Sequence, residues 1–399
     1  MKKNIFAALM LNGFAIAAHA QSSVTLYGIA DAGLGYSSNQ AVTQVPGKAG
    51  KPAINAGGSA FALTSGTMSG SRWGLAGNED LGGGVATIFK LESGFNIGNG
   101  KLNQGGREFG MQAWMGLTDA THGSLTLGRQ YDSVVDFVGS IGPSSFLTGV
   151  AAHPGDLDNI DNQSRTGNSV KYTTPKFGGF QFGALYAFGG QSGSAKDQST
   201  WSVGGQFRNG PFAIGAAYLL ANNSYSTTGN TWTSSYDGTF TSSVNVGFQS
   251  VKSMQVIAAA STYQLSAVTF GVSYSNTQYV PGAFSLFRDT VTFNSAGATA
   301  TWQAAPATRI GLGYSYTRGS SIDGASAPNY NQFNLSSYYA LSKRTVLYGL
   351  VGYQKAGGST LDAYGNLVAA TASIGDAANG ASAAGRDQVL VRIGIHSAF

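Results

Sequence analysis

Val268-Thr269-Phe270-Gly271-Val272-Ser273-Tyr274 alternates without a break. In an extended chain, Val268, Phe270, Val272 and Tyr274 point one way while Thr269, Gly271 and Ser273 point the other. One face is apolar and the opposite face is small or polar. The pattern recurs towards both termini. Phe212, Ile214, Ala216, Tyr218 and Leu220 alternate with Ala213, Gly215 and Ala217, and Phe182, Ala184, Tyr186 and Phe188 with Gln181, Gly183 and Leu185. Further on, Ile310, Leu312, Tyr314 and Tyr316 oppose Gly311, Gly313 and Ser315, and Val389, Val391, Ile393 and Ile395 oppose Leu390, Arg392, Gly394 and His396. A period of two repeated this often predicts an all-β chain, with about sixteen such segments between Val24 and the C-terminus.

Two kinds of connection join the segments. Asp80-Leu81-Gly82-Gly83-Gly84, Thr121-His122-Gly123 and Asn209-Gly210-Pro211 are short turns, while 37–70, 131–168, 221–253 and 355–386 are long and polar. Short turns at one end and long loops at the other are the layout of an antiparallel transmembrane barrel. Composition agrees. Charged residues are 10% of the 399, aromatics 12%, and glycines number 58. A soluble sandwich would need its polar faces rich in Lys and Glu, and these are not. Closed barrels satisfy every backbone group between neighbours, so glycine-rich strands are tolerated in a membrane. Tyr27, Tyr36, Trp73, Tyr172, Phe188, Tyr274, Tyr316 and Phe399 gather near strand ends, as interfacial belts require.

Residues 1–20 read as a cleaved signal peptide: Lys2 and Lys3, an apolar stretch from Ile5, then Ala18-His19-Ala20. The barrel domain is then 21–399. With Lys2 and Lys3 removed, the formal charge falls from +5 to +3, and no basic run points to nucleic acid. There is no cysteine, so neither disulfides nor thiolate chemistry is available.

At this point the chain resembles the Gram-negative general diffusion porins of β-proteobacterial type. The resemblance rests on Val24-Thr25-Leu26-Tyr27-Gly28, on Ser71-Arg72-Trp73-Gly74-Leu75 followed by Gly77-Asn78-Glu79-Asp80-Leu81-Gly82-Gly83-Gly84, on Asn168-Ser169-Val170-Lys171-Tyr172, on Phe177-Gly178-Gly179-Phe180, and on the terminal Phe399. It covers essentially the whole mature chain, loosely in the later loops. It implies a sixteen-stranded antiparallel transmembrane β-barrel with an inward-folded third loop, a homotrimer in outer-membrane lipid, and passive passage of small hydrophilic solutes. It also implies a basic wall of Arg72, Arg129 and Lys171 facing an acidic loop carrying Asp156 and Asp158. Parity adds Lys90 to the inward face, between Phe89 and Leu91. Arg129 shares parity with Leu125 and Leu127, so facing inward requires a bulge. Where the family carries a further basic residue on the first strand, this chain has Ile29. In the family, the closing strand with Phe399, Ile395 and Ile393 on one face also serves as a signal to the outer-membrane assembly machinery.

A barrel hydrolase needs a nucleophile beside a histidine. His122 lies in a turn, His396 on the last strand, and His153 in the long loop, where it is expected to be solvated. No cofactor or metal motif is present, so no enzyme is expected. The nearer alternative is a solute-specific channel with a saturable site, which would want an aromatic track or an arginine ladder. The acidic loop favours cations, while the net charge and the inward basic residues favour a mild anion preference.

Overall fold

A computed structural model describes residues 23–45, 54–223, 235–238, 240–376 and 382–399. The expected signal peptide, 1–20, lies outside the described residues.

The chain starts with β1 (Ser23–Val45), β2 (Ile54–Ser65), β3 (Arg72–Gly82) and β4 (Val85–Gly94). After these come β5 (Gln112–Asp119), β6 (Gly123–Gln130), β7 (Thr166–Thr173) and β8 (Phe180–Ala187). β9 (Thr200–Asn209), β10 (Phe212–Asn222), β11 (Ser253–Leu265) and β12 (Val268–Val280) follow. Next are β13 (Val291–Ala305), β14 (Thr308–Gly319), β15 (Asn329–Ala340) and β16 (Thr345–Gly357). A small ribbon, β17 (Ser359–Leu361) with β18 (Leu367–Ala369), precedes the last strand, β19 (Asp387–Ala398).

Each strand from β3 to β16 pairs antiparallel with the next, β16 pairs with β19, and β19 returns to β1 from Ile29↔Ala398 to Ser37↔Leu390. The circuit is closed, so its backbone groups find partners without water, as hydrocarbon demands. Seventeen strands share the sheet, but β2 and β3 lie along the same edge of β1: β3 beside Ser23–Ile29 and β2 beside the stretch from Ala32 onward. They are two halves of one stave broken at residues 66–71, which leaves a sixteen-strand barrel. The span 37–70, read as a loop, is therefore corrected: much of it is strand. Its alternation is short: Phe61 and Leu63 are exposed on the outer face, but Gly57-Gly58-Ser59-Ala60 before them carries none.

The alternation resolves into two faces. Phe270, Val272 and Tyr274 are exposed on the outside, while Gly271, Ser273 and Ser275 are buried within. Outer side chains left bare in water would cost about 25 cal/mol per Å² of apolar area; in lipid they cost nothing of the kind.

Residues 131–165 pack against the small-residue strand face, opposite the exposed apolar side chains. They contain helical turns at Val135–Gly139 and Pro143–Leu147. Phe137 lies against Gly183, Gly204 and Gly215, and Leu147 against Gly311 and Gly313. A Cβ on Gly215 would sit 2.0 Å from the Phe137 carbonyl oxygen, and one on Gly311 would sit 2.2 Å from a Leu147 methyl. At these glycines the strands carry no side chain, and the segment packs directly on their backbone.

Candidate functional site: a charged cavity inside the barrel

A cavity of about 910 Å³ lies between Ser65–Arg72 on one side and residues 135–165 on the other. Arg72, Arg107, Arg165, Asp161, Asp237 and Asp376 reach it, as does Ile29.

Arg72 begins β3, where its Nε donates to the Gly70 carbonyl (2.9 Å) and its Nη2 to Ser69 Oγ (2.9 Å). Its Nη1 is 3.8 Å from Glu92, whose other oxygen is 3.4 Å from Lys90 Nζ. Tyr27 donates its hydroxyl to the same carboxylate at 2.9 Å. Arg72 and Lys90 are thus brought together on one acid. Glu92 was missed in the sequence, although it shares Lys90's parity two residues on.

Arg129 does turn off the Leu125–Leu127 face. The β6–β7 register shifts between Gly128 and Gln130, and Gly128 takes φ +135°, which re-aims the next side chain. The guanidinium then meets Asp237 two-pronged, at 3.0 and 2.5 Å, and its Nε donates to the Gly110 carbonyl. Arg107 approaches the same carboxylate at 3.5 Å. Fork-on-carboxylate geometry fixes orientation as well as charge. Asp237 sits in a long connection with no periodicity, so nothing in the sequence marked it. Lys171 donates to Asp136 (2.7 Å) and to the Tyr131 carbonyl (3.1 Å), near the base of the long segment.

Asp156 and Asp158 require correction. They do not present carboxylates across a gap to Arg72, Arg129 and Lys171. Asp156 accepts the N–H groups of Asp161 and Gln163, both at 2.9 Å, and so closes its own turn. Asp158 is fully buried, 2.5 Å from His153 Nδ1, and accepts the Ser275 hydroxyl of β12. His153, expected in solvent, is buried too, with its Nε2 3.4 Å from Ser273 Oγ. A buried charge survives only when paired and hydrogen-bonded, and this trio clasps the segment to the wall. It has the residue types of a nucleophilic triad, yet its serine, histidine and aspartate are all buried where the segment meets β12.

A profile of Gram-negative porins matches residues 6–359. The chain belongs to the Gram-negative porin family. This porin is 30% identical over 414 residues to outer membrane porin protein 32 of Delftia acidovorans, across 100% of both chains. It is 40% identical to an outer membrane porin protein of Bordetella pertussis over 230 residues, 55% of this chain and 59% of that protein. Among solved structures, an anion-selective porin from Comamonas acidovorans superposes with a TM-score of 0.67 at 25% identity, covering 95% of this chain and 100% of the other. The porin is a β-barrel of the outer membrane.

Asp132, at the start of the long segment, is pushed up to about 6 by burial, against opposing hydrogen bonds from Val134, Val135 and Asn159. Burial also raises Asp156 and Asp161, helped by neighbouring carboxylates. The folded segment therefore holds protons that an opened one releases, from the ordinary value of 3.8 up to about 6 for Asp132. Stability contributed by that proton is full at low pH and is lost as pH rises through about 6. Amide hydrogen exchange of residues 133–165, corrected for intrinsic rates, should be at least about tenfold slower at pH 5 than at pH 8. Equal protection at both pH values would contradict the burial of these acids.

Proposed function

We propose that the chain is a passive, water-filled channel for small hydrophilic solutes and ions, with a charged constriction and a mild preference for anions. The observation that carries this is the cavity between residues 65–72 and 135–165, inside a closed barrel and reached by three arginines. A pore of this kind selects by size and by rings of charge at its narrowest place. In this reading the segment 131–165 is the inward loop that narrows the pore. Arg72, Lys90, Arg129 and Lys171 form its basic wall, and Asp156 and Asp158 hold the loop in shape.

The sign of selectivity follows from which charges face the water. Glu92, Asp237 and Asp136 are each engaged by at least one cation. Asp161 is driven towards its neutral form. Arg107 keeps half its surface. Beyond a Debye length of about 8 Å at physiological salt, other charges are screened. The Comamonas acidovorans relative, described as anion-selective, supports the same sign.

Planar-bilayer recording in a salt gradient tests the reading. The reversal potential should favour anions, and Arg72→Gln should lower the anion-to-cation permeability ratio roughly twofold. Three equal closing steps are expected, because the reading includes a homotrimer of independent pores. A clear cation preference would remove the selectivity proposal, and absence of conductance would remove the channel. Saturation of current by a particular solute would instead favour the solute-specific alternative.

A further inference from the structure

We propose that residues 66–71 form a second, inward lip of the pore, opposite the long loop, and that Asp31 is the positioning residue that holds it there. This rests on the channel reading above. The break between β2 and β3 would be unremarkable if residues 66–71 lay outside the barrel, but they lie within it. Asp31 is on the inner face of β1, in register with His396 of β19, and is completely buried. Its carboxylate accepts the backbone N–H groups of Thr67 (3.1 Å), Met68 (2.9 Å) and Ser69 (3.2 Å). Tyr348, from the inner face of β16, donates its hydroxyl at 2.8 Å, and His396 Nδ1 lies 3.5 Å away.

The backbone of the same residue is engaged as well. The Asp31 carbonyl accepts from the Gly66 N–H and the Ser71 hydroxyl, both at 3.0 Å, and its own N–H donates to Ser71 Oγ. Met68 packs against the inner cluster that includes Tyr348 and Leu350. One buried carboxylate therefore gathers three consecutive N–H groups of a six-residue excursion, much as an anion is held in a backbone nest. Here the anion belongs to the wall and the nest is what gets fixed.

The consequence falls on Arg72. Its Nε and Nη2 both donate into the lip, to Gly70 and Ser69. The lip thus lines the cavity itself and also aims the guanidinium that reaches it. Asp31 touches neither solute nor cavity, and acts through the lip.

The chain has no native cysteine, so a single introduced thiol is a clean probe. Ser69→Cys is recorded in a planar bilayer, and (2-sulfonatoethyl) methanethiosulfonate is added. The thiolate forms a disulfide with the reagent's sulfenyl sulfur as methanesulfinate leaves, which puts a sulfonate on the lip. Conductance should drop by roughly a third, and the reversal potential should move away from anions. Leu34→Cys, on the lipid-facing side of β1, should show neither change. Adding Asp31→Asn to Ser69→Cys should speed modification several-fold and leave the block incomplete, and Asp31→Glu should restore the slower, fuller block. Asp31→Asn alone should raise conductance about 1.5-fold.

If modified Ser69→Cys conducts as before, the lip is not in the pore. If Asp31→Asn changes neither the rate nor the depth of block, Asp31 does not position it. Failure of the unmodified protein to conduct would instead sink the channel reading on which both depend.

Discussion

Gly215→Val should raise single-channel conductance about twofold, because the wall will no longer accept the long segment. Gly215 is paired on both sides, with Gln206 of β9 and Ala260 of β11. A new Cβ there meets the backbone oxygen of Phe137 at 2.0 Å, and backbone cannot rotate out of the way as a side chain can. Val suits a strand, so the ladder gains rather than loses by the change. The clash must then be relieved by the segment, which is held by a smaller set of bonds than a doubly paired strand. Ala216→Val on the opposite, lipid-facing side of β10 is the control and should leave conductance unchanged. A Gly215→Val channel of unaltered conductance would show that the Phe137 region does not limit the pore.

Deleting Phe399 should sharply reduce the protein found in the outer membrane while leaving refolding in detergent intact. The residue's structural role is visible and modest. Its N–H donates to the Gly28 carbonyl at 3.0 Å, and its own carbonyl accepts from the Gly28 N–H at 3.1 Å. The ring lies over Gly28, where a Cβ would approach it to 2.2 Å, and stays half exposed on the side that carries Ile393 and Ile395. Losing two peripheral hydrogen bonds and one belt aromatic costs a few kcal/mol at most. That is too little to prevent closure of a fully paired barrel. Loss of a signal read by the assembly machinery would act on yield in cells and not on stability. Comparing outer-membrane amounts with the midpoint of urea-induced unfolding separates the two, and normal cellular yield after the deletion would leave Phe399 a belt residue only.

Much of the barrel was legible because its physics is local. A strand with lipid on one side and small groups on the other has to alternate, and Val268 to Tyr274 does so at every position. Inward placement of Lys90 follows from the same parity, and Glu92 could have been read with it. Three things could not be read this way. β2 offers only the short alternation of Phe61 and Leu63, after Gly57, Gly58 and Ala60, which carry no apolar signature. Arg129 departs from parity through a single residue of bulge, for which Gly128 is only a weak cue. Asp158 and His153 find Ser275 and Ser273 across 117 and 120 positions of chain. No periodicity within a loop reports on partners so distant, and the family resemblance therefore turned a clasp into an expected acidic edge.

That clasp also orders events in time. Residues 131–165 lie far from β12 along the chain, and the Gln332 side chain that caps the carbonyls of Val150 and Ala152 is some 180 residues further on. Until those strands are present, the Asp158 carboxylate has no Ser275 to receive, and Phe137 and Leu147 have no bare wall to enter. Contacts this far apart in sequence are slow to form, since chain entropy is spent before they return any stabilisation. The segment is therefore expected to dock late and not to nucleate folding. Its contacts with Gly215 of β10 and Gly311 of β14 can form only once those strands have come together, so closure of β1 on β19 and docking of the segment are expected to be coupled.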